Sequence, residues 1–383
     1  MKNIELLAPA GSLKKLEMAL LYGADAVYVG GSEFGLRALA DNFSDQELKI
    51  AVQMAHAQNK KIYVTLNIFA RNDDFDKLVK FAKYLESIKV DAAIVSDLGV
   101  LAMVREHTNL DIHISTQANV TNKHAAMQYA EFGAKRIILA RECSINQIRE
   151  ITTHLNGKAE IEVFVHGAMC VSYSGRCLLS DYITQGKRES NRGSCFQPCR
   201  VGYSIKEEKR DDHYEMMEDK YGTYIMNSRD LCLIEHLDEL KDAGVTSLKI
   251  EGRTKTEYYV AAVTNAYRRA MNGEKLDWVN ELEKVYHRPY TTSFTLQQHT
   301  KSSAQISTHK FVAIVTNEGV EQRNLFSVGD ELEILSPSEN FNKTFKVTSI
   351  NNGTVQVAKK VQEILTLDCP YPLNVGDILR KKN

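Results

Sequence analysis

The sequence predicts a (β/α)8 barrel of the TIM type, carrying a long cysteine-rich insertion after its seventh strand and followed by a small all-β barrel domain. Three observations predict this. Short apolar runs alternate with amphipathic segments eight times within residues 1–273, and parallel strands joined by crossover helices close on themselves at that number. No glycine-rich phosphate fingerprint follows the first run, where APAGS is only a turn, which argues against the alternative of a doubly wound open sheet. From Lys310 the pattern shortens to alternating runs punctuated by Gly-Asp and Asn-Gly turns, the signature of an antiparallel domain.

Taken in order, IELLAP (4–9) reads as the first strand, and Ser12 to Tyr22 as a helix capped by Ser12 and stopped at Gly23. DAVYVG (25–30) is the second strand. Ser44 then opens a helix with Glu47 three residues on, a capping box, and Leu48, Ala51, Val52 and Ala55 recur at helical spacing. KIYVTLNIF (61–69), DAAIVSD (91–97), DIHISTQ (111–117), KRIILAR (135–141) and IEVFVHG (161–167) continue the strands, each followed by a helical pattern. A helix over Asp230 to Ala243, the strand SLKIEG (247–252) and a helix from Thr256 to Met271 complete the barrel. Residues 274–309 read as a linker packing back on the barrel, and 310–383 as the β domain, with V-G-D-x-L repeated at Val328 and Val375.

Composition sets bounds on function. Lys plus Arg number 48 against 49 Asp plus Glu, so any contact with a polyanion is local. Local candidates are Lys187, Arg188, Arg192 and Arg200; Tyr267, Arg268 and Arg269; and Arg380, Lys381 and Lys382. The start MKNIELLAPAGS lacks an apolar signal core and no run approaches a membrane span. The expectation is a cytoplasmic protein without a membrane partner.

The stretch from Ile161 to Arg200 holds four of seven cysteines. Six residues separate Cys170 from Cys177, seventeen separate Cys177 from Cys195, three separate Cys195 from Cys199, and thirty-two separate Cys199 from Cys232. Thiols among Ser, Gly, Arg and Asn are poor core material. On glycine-rich loops they suit a metal or iron–sulfur centre, with structural zinc as the competitor for the same thiolates. A cysteine peptidase pairing Cys170 with His166 would leave the remaining cysteines unexplained.

In such a barrel, chemistry lies at the carboxyl ends of the strands. The polar residues there form a set that reads as a pocket wall. Arg141, His166 and Glu251 are the candidates for catalysis. Arg37, Asn67, Gln117, Arg253 and Lys255 are the candidates for substrate binding. Glu33, Asp97, Asn119 and Glu142 stand at the same strand ends.

ELLAPAGS (5–12), YGADAVYVGG (22–31), VFVHGAMCVSYSGRCLLS (163–180), CFQPCR (195–200), YIMNSRDL (224–231) and SLKIEGRTK (247–255) together resemble the collagenase-like peptidase family U32. HRPYTTSF (287–294) and NLFSVGDELEIL (324–335) extend the likeness into its tRNA-hydroxylating branch. That resemblance implies a four-iron four-sulfur cluster on Cys170, Cys177, Cys195 and Cys199. Cys232 is a fifth candidate, because some relatives place a ligand there. It further implies prephenate as a co-substrate and hydroxylation of the wobble uridine of tRNA, with a ribosomal cytidine or a peptide bond as other targets and pairing with a second family member as an option. On this reading Arg253 and Lys255 would meet the two carboxylates of the small dicarboxylate.

Overall fold

The computed structural model describes residues 4–35, 42–169, 229–296 and 306–383 without a break, with short pieces between 180 and 223. Eight parallel strands form a closed barrel. They are β1 (Glu5–Pro9), β2 (Ala26–Gly30), β3 (Lys61–Leu66), β4 (Ala92–Val95), β5 (Asp111–Ile114), β6 (Arg136–Ile138), β7 (Glu160–Ala168) and, after the short strand β8 (Asp230–Cys232), β9 (Ser247–Ile250). Each pairs with the next, and β9 closes the ring by pairing with β1 on one side, Glu5 opposite Ser247, and with β7 on the other.

The helices cover the outside because their apolar stripes leave no other choice. α1 (Leu13–Leu21) starts where the Ser12 hydroxyl accepts from the Lys15 N–H. α2 (Asp45–His56) starts with the reciprocal Ser44–Glu47 capping box and buries Leu48, Ala51, Val52 and Ala55. α3 (Phe75–Ser87), α4 (Leu98–His107), α5 (Lys123–Glu131) and α6 (Ile145–Leu155) follow their strands in turn. Thr256 caps α8 (Glu257–Met271), and the short α7 (Leu237–Asp242) precedes β9.

The sequence departs from expectation at Asp230. A helix over Asp230 to Ala243 gives way to β8, a 3-10 turn over Ile234–His236, and only then α7. Pairing decides this. β8 lies antiparallel on the upper end of β7, Cys232 opposite His166, and parallel to β10 (Tyr290–Thr291), while the Asp230 carboxylate takes two bonds from the Arg288 guanidinium and one from its N–H. Burial works against the charge of Asp230, but Arg288 outweighs it and holds the carboxyl below its usual range.

The lower half of the barrel is filled by ions as well as hydrocarbon. Arg136 (β6) reaches Glu5 (β1), Glu160 and Glu162 (β7), and Lys249 (β9) donates to Glu162 at 2.8 Å. Ser247 and Tyr63 donate to Glu5, at 3.0 and 2.7 Å. Every carboxylate of this layer therefore has cationic or hydroxyl donors, the condition for a buried charge to persist.

The carboxyl-terminal region is an antiparallel six-stranded sheet with a separate two-stranded pair. In sheet order the six are β15 (Thr344–Lys346), β14 (Glu331–Leu335), β18 (Ile378–Lys382), β11 (His309–Thr316), β12 (Gly319–Gln322) and β17 (Ile364–Leu365). β13 (Phe326–Ser327) pairs with β16 (Val357–Ala358). This region docks against α1, α8 and the short α9 (Trp278–Leu282). The Tyr22 hydroxyl donates to the carbonyls of Leu335 and Gly376, Tyr258 stacks on Phe311, and Trp278 on Phe341.

Candidate active site at the barrel mouth

Two groups of side chains converge above the ionic layer. The first spans β2, β3, β5 and β9. Arg253, 6% exposed, follows β9 and donates from Nη1 to the Thr65 hydroxyl at 3.3 Å. The space it occupies exists because residue 30 is glycine: a Cβ on Gly30 would lie 2.2 Å from that Nη1. Next to Thr65 on the same strand end, Asn67 donates to the Ser115 hydroxyl at 3.2 Å and to Gln117 Oε1 at 3.4 Å, and Ser115 itself donates to Gln117 Oε1 at 2.6 Å. Ser96 anchors the Asn67 carbonyl from the strand between them. The result is a guanidinium, hydroxyls and two amides fixed by their neighbours, which can bind a small carboxylate and read the edge of a polar ring.

The second group is Arg141 and Glu251, 3.3 Å apart, with the Arg141 guanidinium 4.0 Å above the ring of Phe164. Stacking on Phe164 holds the plane of the guanidinium while Glu251 holds its edge.

His166 does not join them. β7 carries one extra residue against β9, so Phe164 pairs with Lys249 but Ile250 pairs with His166. This bulge reverses the alternation after Val165 and turns the imidazole toward α8. There it packs against Tyr259, Tyr267 and Tyr290, its Nε2 buried without a partner. Burial pushes its protonation down to about 3. An imidazole that is 1% exposed is poorly placed to serve as a base for an attacking thiolate.

Lys255 also turns away from Arg253. Its Nζ donates to the Tyr286 carbonyl at 3.3 Å and lies over the Tyr259 ring, and the residue lines a groove of about 710 Å³ facing the carboxyl-terminal sheet. Asp97 caps α4 through Gly99 and Val100, the ordinary role of an aspartate at that position.

The cysteine-rich segment leaves and rejoins the barrel at one place. Met169 N–H donates to the Arg229 carbonyl just beyond the β7–β8 pairing, so both ends are pinned at the carboxyl rim and Cys170 stands two residues beyond β7. Cys170, Cys177 and Cys199 lie outside the described residues, as does Arg37. Cys195 is half-buried. Cys232 is 7% exposed, and burial pushes its thiol up to about 11 while its side chain shares a hydrogen bond with Tyr267.

In two of the three basic stretches, all but the exposed Lys382 turn out to hold the fold together. Arg268 is bonded to the Gly23 carbonyl and Asp25, Arg269 to Glu274 and the carbonyls of Pro337 and Ser338, and Tyr267 is wholly buried. Arg380 is fully buried between Glu281 and Glu333, and Lys381 pairs with Asp330 at 2.7 Å. Clustered charge in sequence does not distinguish an interface from an interdomain ion pair. Of the third stretch, Lys187 is exposed, and Arg188, Arg192 and Arg200 lie outside the described residues. Thr65 and Ser115 escaped the sequence reading because a hydroxyl at the end of a strand carries no distinguishing pattern.

The model of peptidase family U32 matches residues 11–305, and that of the family's C-terminal domain matches 307–380. The chain is 36% identical to tRNA hydroxylation protein P of Haemophilus influenzae, over 99% of this chain and 96% of that one. It is 37% identical to tRNA hydroxylation protein P1 of Bacillus subtilis, over 99% and 95%. A 23S rRNA 5-hydroxycytidine synthase of Escherichia coli is 35% identical over 83% of this chain and 49% of its own length.

Proposed function

The chain belongs to peptidase family U32, and from that premise we propose that it is an iron–sulfur-dependent RNA-modifying enzyme that uses prephenate to hydroxylate the wobble uridine of tRNA at C5. The observation that carries this reading is near full-length similarity to proteins named for tRNA hydroxylation, joined to a site whose donors suit a small carboxylate and a polar ring. The buried Arg253 guanidinium, held by Thr65 and given room by Gly30, suits one carboxylate of prephenate. Arg141, steadied by Glu251 and Phe164, is the second cation at the mouth. It takes the place that the sequence reading gave to Lys255.

The donor set fits a cluster. Its loop is pinned at the rim by the β7–β8 pairing, and Cys170, Cys177, Cys195 and Cys199 would hold it. Cys232 would have to ionise and leave Tyr267 to take part. Zinc on the same thiolates is the alternative occupant in a sample purified in air. When bound, the cluster supplies electron transfer beside the mouth. The chain's own residues bind, orient and enclose the reactants. Among the described residues no helix is long and apolar enough to cross a membrane, and a tRNA substrate suits a cytoplasmic enzyme.

The test is to incubate protein purified without oxygen with unmodified tRNA and prephenate, digest the tRNA and weigh its nucleosides. The expected product is uridine heavier by one oxygen, formed only with prephenate. An unchanged nucleoside profile contradicts the proposal.

A further inference from the structure

We infer that Gln117 is the residue that selects uracil over cytosine at this mouth, by presenting its side-chain NH2 to the oxygen at C4 of the base. The inference rests on the RNA-hydroxylase reading above and concerns which pyrimidine that site accepts.

Gln117 Oε1 accepts twice, from the Ser115 hydroxyl at 2.6 Å and from Asn67 Nδ2 at 3.4 Å. Both carbonyl lone pairs are then used on the inner side of the site. Turning the Gln117 amide over would set its own NH2 against that of Asn67 and lose the short bond from Ser115. The amide is thereby fixed with its nitrogen away from the wall. Gln117 is half-exposed, whereas Ser115 and Asn67 behind it are buried. Its donors are the part of the network left for a ligand.

The turn after β5 thus offers the Gln117 donors to a ligand. Uracil presents them with an acceptor, the oxygen at C4. Cytosine carries the reverse, an amino group that would face them donor to donor. Leaving buried polar groups unmatched is what makes hydrogen-bonding sites discriminate strongly.

Gln117→Glu tests this with little disturbance, since one carboxylate oxygen still accepts from Ser115 and Asn67 while the other replaces the donors with an acceptor. Binding of an anticodon stem-loop RNA with uridine or cytidine at the wobble position is measured by fluorescence anisotropy, and hydroxylation of both RNAs by nucleoside mass analysis. Thermal midpoint and iron content of the variant serve as folding controls. The wild type is expected to favour uridine, and Gln117→Glu to lose roughly tenfold or more on uridine, the cost of one mismatched hydrogen bond, and to gain on cytidine. A variant with unchanged base preference overturns the inference while leaving the hydroxylase reading intact. So does one whose only defect is a raised KM for prephenate. A wild type that hydroxylates neither RNA overturns the hydroxylase reading itself, and the inference with it.

Discussion

His166 lies among three tyrosines with its Nε2 buried, and burial pushes its protonation down to about 3. An unfolded histidine takes up its proton near pH 6.5, so between about pH 6.5 and about pH 3 the unfolded chain binds a proton that the native chain refuses. Stability is therefore expected to fall as pH drops through that window, by about 1.4 kcal/mol per unit for this residue. Burial also depresses His287, and His113 still further, so the acid loss is shared. Urea midpoints followed from about pH 7 to about pH 4 should decline more shallowly in His166→Gln than in the wild type, and equal slopes would contradict the assignment. Sequence alone placed His166 at the rim by counting along a regular strand. The one-residue bulge at Val165 depends on how β7 pairs with β9, which no local pattern reveals. Arg253 and Gln117 were legible because a polar residue just beyond an apolar run stands at a strand end whatever the register.

At the scale of elements, all eight barrel strands could be read from their apolar runs, since burial of both faces of a parallel strand leaves that mark. β8 could not. Its three residues owe their conformation to β7, β10 and Arg288, and in isolation they look like the start of a helix. The ionic layer was visible only as lone charges in otherwise apolar strands: Glu5, Arg136, Glu162 and Lys249. Their pairing across the barrel makes them interdependent. Lys249→Met leaves Glu162, which is 0% exposed, with Arg136 as its remaining cation, and is expected to cost about 3–5 kcal/mol. Adding Glu162→Gln should recover most of that loss, because Arg136 keeps Glu5 and Glu160. Chemical denaturation of the two variants checks this, and a double variant no more stable than the single one would count against the pairing.

In the whole molecule the carboxyl-terminal sheet is fastened to the barrel by buried charge. Arg380 meets Glu281 and Glu333, Lys284 bridges the same two carboxylates, and Arg323 of the sheet meets Glu257 of α8. Of these, Arg380 read as a nucleic-acid contact in sequence because charge patterning records the charge and not its partner. On the proposed function, the barrel mouth and the cysteine loop that leaves its rim would form the functional end, with Arg253 as the carboxylate-binding residue. Arg253→Ala, prepared without oxygen beside the wild type, should be assayed for iron, acid-labile sulfide and prephenate-dependent uridine hydroxylation in the same samples. Iron and sulfide are expected at wild-type levels with hydroxylation lost, the cluster loop being intact and the carboxylate site gone. Hydroxylation undiminished in a variant that keeps its iron would contradict a carboxylate-binding role for Arg253.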